Sequence, residues 1–214
     1  MNYSSRKKNK TVKYIVIHYT GMENLKLAFE KLTNNSSNVS THYLISRNGI
    51  IFNLLCVKYK AWHAGSSKWK NNTNINEYSI GIELENRGHS FGYSNFTKLQ
   101  YLSLKKLIIF LKNNFFIRNE NIIFHSDISP NRKQDPGEKF FLKKIGINRF
   151  KNIKSPKNLI NLNQMLKIYG FHNYYINNYK GYCIAATKRS LNYKRISSSI
   201  SKKFIDDFYN LLFK

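Results

Sequence analysis

A chain of 214 residues allows one sizeable domain, or one domain with a small appendage. A hydrophobic content of 42%, with 15 Tyr and 15 Phe, supports a packed core and excludes global disorder. The formal charge is +25, from 36 Lys and Arg against 11 Asp and Glu; it would attract polyanions without selectivity. The lysines are spread along the whole chain among many Asn and Ile, so they read as compositional bias, and specific nucleic-acid binding is not expected.

The two cysteines, Cys56 and Cys183, are far apart and form no CxxC pair. They are expected to be buried free thiols. No apolar run is long enough for a membrane-spanning helix. The first residues, MNYSSRKKNK, lead straight into a strand-like run with no signal-peptide pattern. A cytoplasmic location is expected on that ground, with the periplasm or cell envelope as the alternative.

In chain order, residues 1–13 read as a basic tail. YIVIH (14–18) is a β-branched run suited to a buried strand. Leu25, Ala28, Phe29 and Leu32 have helical spacing, predicting a helix over roughly 22–32. HYLIS (42–46) and IIFNLL (50–55) flank Arg47-Asn48-Gly49, a strong hairpin signal. Residues 62–77 lose periodicity and read as a loop. SIGIEL (79–84) and NIIFH (121–125) read as strands, and 96–114 as a buried helix. A polar, basic stretch around 149–158 reads as a linker. Beyond it LINLNQMLKIYG and FIDDFYNLLF look helical, with Ile200, Phe204, Phe208 and Leu211 on one face. The expected fold is α/β, a mixed sheet flanked by helices with a small C-terminal all-helical domain. The expected divisions are a tail (1–13), a main domain (14–150), a linker (151–157) and a helical domain (158–214).

Two strands end on histidine, His18 and His125, and Asp135 stands before Pro-Gly. Taken singly, each histidine suits a structural role and Asp135 suits a turn. Together, two histidines and one carboxylate with water as fourth ligand make a catalytic zinc arrangement. Acids are scarce, yet four of them, Glu83, Glu85, Asp127 and Asp135, fall in two short segments. Strand alternation puts Glu83 and Glu85 on one face. Asp127 suits either a hydrogen bond to a ligand imidazole or a loop cap. His42 suits a place behind the same cleft. Trp62 and Trp69, in the loop beginning AWHAG (61–65), offer aromatic faces for sugar rings, Trp62 serving equally well as a loop anchor, while Gly65 permits close backbone approach. His89 and His172 belong to no motif.

The segments YIVIHYT (14–20), VSTHYLISRNG (39–49), AWHAG (61–65), YSIGIELENRG (78–88) and FHSDISPNRKQDPG (124–137) occur in one order. In that combination the chain resembles the zinc-dependent N-acetylmuramoyl-L-alanine amidases, whose fold is shared with peptidoglycan recognition proteins. IGIELENRG and the C-terminal extension resemble the branch with a helical peptidoglycan-binding domain. The resemblance implies one zinc ion held by His18, His125 and Asp135, with Glu83 and Lys133 as the catalytic pair. It implies a peptidoglycan or muropeptide substrate; the candidate substrate contacts are Trp62, His63, Ala64, Gly65 and Asn86, and the candidates behind the ligands are His42 and Asp127. Nothing calls for more than a monomer. A non-catalytic peptidoglycan-binding protein on the same fold is the alternative.

Overall fold

The computed structural model describes residues 2–150 and 153–214. Met1 of the expected tail, and Lys151 and Asn152 of the expected linker, lie outside them. The strands are β1 (Tyr3–Ser5), β2 (Tyr14–Tyr19), β3 (Tyr43–Ile45), β4 (Ile51–Asn53), β5 (Tyr59–Ala61), β6 (Lys68–Trp69), β7 (Asn72–Thr73), β8 (Ser79–Leu84) and β9 (Ile122–Phe124). The helices are α1 (Leu25–Thr33), α2 (Lys98–Phe115), α3 (His125–Ile128), α4 (Leu162–Tyr169), α5 (Asn173–Asn178), α6 (Lys180–Ser190) and α7 (Lys202–Phe213).

The main sheet has the order β4-β3-β8-β2-β9. Only β3 and β4 are antiparallel, joined by the predicted Asn-Gly turn with Gly49 at φ +81°. The parallel strands β8, β2 and β9 are buried on both faces, which explains their unbroken apolar runs. Ile15, Ile17, Ile82 and Phe124 point to one face, where Leu104, Leu107, Ile108 and Leu111 of α2 cover them. Tyr14, Val16 and Ile123 point to the other and pack with Met165, Leu166, Cys183, Phe204, Phe208 and Leu212 of the C-terminal helices. His18 shares the parity of Tyr14 and Val16, so it faces the second layer.

Capping explains the helix limits. Thr97 and Gln100 form a capping box at the start of α2, and Asn161 and Gln164 do the same for α4. Gly170, at φ +128°, ends α4.

Several expectations change. The supposed basic tail carries β1, which pairs with β5. Arg6 donates to the carbonyls of Val57, Asn76, Glu77 and Ser79, so these loop acceptors tie it down. Cys56 is exposed; its neighbours Leu55 and Val57 take the inward positions. The 62–77 loop contains the β6/β7 hairpin and a short 3-10 turn. Trp69 is fully buried against Tyr169 and Phe171, and so has no face to offer a sugar. On α7 the buried stripe is Phe204, Phe208 and Leu212; Ile200 precedes the Ser201 cap and is exposed, and Leu211 lies beside the stripe. No helix among the described residues is long and apolar enough to cross a membrane.

Candidate metal centre

Parallel pairing in register places His18 of β2 beside Glu83 of β8. Phe124 pairs with Ile17, so His125, the next residue after β9, arrives beside His18. The loop beyond α3 then returns Asp135, and the Ser126 N–H donates to the Asp135 carbonyl at 3.0 Å. Three donor atoms converge. His18 Nδ1 and His125 Nδ1 are 2.9 Å apart, and each is 3.0 Å from Asp135 Oδ2. All three side chains are buried.

The outer nitrogens decide what the inner ones carry. His18 Nε2 lies 3.0 Å from His63 Nδ1, His63 Nε2 lies 3.1 Å from Ser79 Oγ, and the Ser79 hydroxyl donates to the Ile75 carbonyl at 2.7 Å. A carbonyl only accepts, so the chain runs one way: His18 Nε2–H to His63, His63 Nε2–H to Ser79, Ser79 O–H to Ile75. His125 Nε2 faces the Ala64 carbonyl at 3.3 Å and must likewise be the protonated nitrogen. Both Nδ1 atoms are therefore bare acceptors facing a carboxylate oxygen. Three lone-pair-bearing atoms this close call for a cation. Around tetrahedral zinc with bonds near 2.0 Å, ligand atoms stand roughly 3.3 Å apart, close to the observed triangle. Among the described residues this trio forms a group able to hold a metal ion.

The electrostatics agree. Burial pulls the His18 pKa down to about 4, with His125 adding to the effect and Asp135 opposing it. Burial and the neighbouring imidazoles of His18 and His42 hold His63 well below the usual histidine range. Burial, with the Asp135 charge adding, pushes Glu83 well above the carboxylate range, and Lys133 opposes this. Glu83 Oε2 is buried with no hydrogen-bond partner. Glu83, Lys133, Trp62, His63, His125 and Asp135 line one cleft of about 380 Å³.

The other expected site residues fall into distinct places. His63 and Ala64 stand behind the ligand histidines, and Asn76 Oδ1 accepts from both of their backbone N–H groups. Trp62 is half-buried on the cleft and donates from Nε1 to Ser4 Oγ. Gly65, at φ +55°, lies against Arg132, which donates to the Ala64 and Ser66 carbonyls. His42 sits behind His63, accepting from the Gly81 N–H and facing the Tyr59 carbonyl. Asn86 does not line the cleft; its amide is used inside its own loop, by Gly88 and Ser94. Asp127 reaches neither ligand imidazole. It accepts from the Phe124 N–H, the Arg149 guanidinium and the Tyr169 hydroxyl, capping the turn that carries His125. Glu85 accepts from the Arg47 N–H, clear of the metal ligands. Asn76, Arg149 and Tyr169 had no motif to mark them, and Ser79 lay in a quoted segment without being singled out.

The chain is similar to known proteins in sequence and in fold. The family model described as N-acetylmuramoyl-L-alanine amidase matches residues 8–138. The chain is 39% identical to the N-acetylmuramoyl-L-alanine amidase AmiD of Escherichia coli over 141 residues, 60% of this chain and 50% of AmiD. It is 42% identical over 103 residues to the 1,6-anhydro-N-acetylmuramyl-L-alanine amidase AmpD of Haemophilus influenzae, 48% of this chain and 54% of that protein. The match thus spans about half the length of these curated relatives. In structure the chain is similar to Escherichia coli AmiD in complex with the substrate anhydro-N-acetylmuramic acid-L-Ala-D-gamma-Glu-L-Lys. The TM-score is 0.77 at 26% identity, covering 98% of this chain and 91% of that one. A family match over more than half of the chain, on a fold with this His-His-Asp triangle, makes the protein a member of the N-acetylmuramoyl-L-alanine amidase family.

Proposed function

We propose that this chain is a zinc amidase that hydrolyses the amide between N-acetylmuramic acid and L-alanine in peptidoglycan or its soluble fragments. The observation that carries the reading is the triangle of bare acceptors formed by His18, His125 and Asp135, with the unpartnered carboxylate oxygen of Glu83 in the same cleft. One chain supplies all three ligands, so one zinc per monomer suffices. Residues 14–150 would hold the chemistry, and 158–214 would form the helical region that the family resemblance links to peptidoglycan.

Zinc bound there supplies Lewis acidity and lowers the pKa of water from about 15.7 to about 7. Glu83 orients the attacking water, takes its proton and passes it to the leaving nitrogen. The water oxygen bonds to the lactyl carbonyl carbon, the C–N bond breaks, and the alanine amine leaves with the proton from Glu83. Lys133 offers its ammonium to the negative charge that develops on the carbonyl oxygen. His63 and the Ala64 carbonyl keep the ligand imidazoles oriented and their outer nitrogens protonated.

The test is incubation with a defined muropeptide, with and without a chelator, read by product mass. A peptide with free N-terminal alanine, lost on chelation and restored by zinc, is expected. An intact muropeptide after treatment with folded, zinc-loaded protein would refute the activity and favour a binding protein. Glu83→Gln should cut kcat by about 10²- to 10⁴-fold while zinc content stays at one per chain. His18→Ala or Asp135→Ala should lose the zinc itself, seen by elemental analysis.

A further inference from the structure

Two of the three metal-ligating residues, and Lys133, lie on one loop, His125 to Asp135, that extends past the end of β9. The C-terminal helices hold this loop at several points. Tyr169 of α4 donates its hydroxyl to Asp127 Oδ1 at 2.8 Å, and Asp127 in turn accepts from the Phe124 N–H just before His125. Arg149, in the segment leading to the helices, donates to Asp127 Oδ2 at 2.9 Å. Tyr175 of α5 donates to the Ile128 carbonyl at 3.0 Å, at the end of α3. Arg189 of α6 donates to the side chain of Gln134, between Lys133 and Asp135. Asn192 donates from one amide nitrogen to the carbonyls of Glu138 and Phe140, both at 2.8 Å. The bonds from Tyr169, Arg149, Tyr175 and Arg189 fall on the loop itself, and Asn192 grips the segment just after it. Asp127 and Tyr169 are fully buried, so this link has no competing water.

We propose that the C-terminal helices complete the metal centre: Tyr169, Tyr175, Arg189 and Asn192 are positioning residues that hold His125 and Asp135 at ligand spacing to His18. On this reading, which rests on the metal assignment above, the helical region sets metal affinity whether or not it also touches substrate. A surface-recognition module would need no bonds to the metal loop, whereas here side chains from α4, α5 and α6 make them and Asn192 of the following turn holds the segment after the loop.

The test measures the zinc dissociation constant by competition with a chelator of known affinity. Tyr169→Phe removes one hydroxyl and keeps the ring against Trp69 and Phe171. Asn192→Gly removes the amide at a position whose φ of +58° glycine accepts. Each should weaken zinc binding by about tenfold, the lower end of the range for groups that support metal ligands. In the presence of saturating zinc, kcat should return toward the unmodified value with KM unchanged. Leu212→Ala, in the α7 core and off the loop, should lower the melting temperature and leave zinc affinity alone. If Tyr169→Phe does not fold, Asn192→Gly carries the test. Unchanged zinc affinity in the folded variants, or a rise in KM as their only effect, would overturn the proposal. Because zinc affinity is read without substrate, a failure of the amidase reading would show separately, as no hydrolysis by the unmodified, zinc-loaded protein.

Discussion

His42 shows how much of this site depends on imidazoles held neutral. Its Nδ1 accepts from the Gly81 N–H and its Nε2 faces the Tyr59 carbonyl, so a second proton would have to displace the Gly81 bond. Burial, with Arg6 adding, brings its pKa down to about 3 from an ordinary value of 6.5. The unfolded chain therefore takes up a proton before the folded one as pH falls. Stability from this group is complete above about 6.5 and drains away between there and about 3. The melting temperature should fall as pH drops from 7 to 4, and less steeply in His42→Gln than in the unmodified chain; parallel slopes would contradict this. At this scale His18, His125 and Asp135 were legible because two close a strand and the third sits in a turn, positions that point side chains into a cleft. His63 was visible as a site residue, but its partners were not. His18 and Ser79 lie far from it in sequence, and only folding brings them together. Of the two roles the sequence left open for Asp127, the structure shows the loop cap, and Asn86 likewise spends its amide on its own loop, because a buried polar side chain next to a site satisfies the local backbone as readily as it serves the site.

At the scale of elements, β8 does two things at once. It presents Glu83 beside His18, and at Gly81 it leaves the space that the His63 ring fills. A Cβ at position 81 would come within 2.5 Å of His63 Cγ. Gly81→Ala should cost about 1–3 kcal/mol through overpacking. It should also weaken zinc binding, since His63 cannot move without releasing the outer nitrogen of His18. Urea midpoints and chelator competition measure the two effects; lost stability with intact zinc affinity would break the link. The β3/β4 hairpin and the buried strands were legible because turn chemistry and β-branched runs are local signals. Strand β1 was not, because its sequence, Tyr-Ser-Ser, is polar and its pairing with β5 is a long-range matter.

For the whole molecule, the sheet is one layer between α2 and the C-terminal helices, and the second interface contains a charge. Arg149 and Asp127 are 2% and 0% exposed at their side chains and 2.9 Å apart, with Trp69, Phe124, Phe150 and Tyr169 around the guanidinium. Arg149→Met strands a buried carboxylate and should cost about 3–5 kcal/mol. Adding Asp127→Asn should recover part of that loss, as measured by denaturant unfolding. A loss under about 1 kcal/mol would mean that the pair does not hold the layers together. The sequence pointed to the helices here but not to this pairing, since one arginine among so many cations carries no signal of its own.

The one-way hydrogen-bond chain behind His18 ends on a backbone carbonyl, and that end has a kinetic meaning. The tautomer of His18 is fixed by the main chain at Ile75, three bonds back from the metal-facing nitrogen, and so is settled before any ion arrives. Loading then needs no proton transfer between ring nitrogens, and its rate should follow how fast the ion sheds water and enters the cleft.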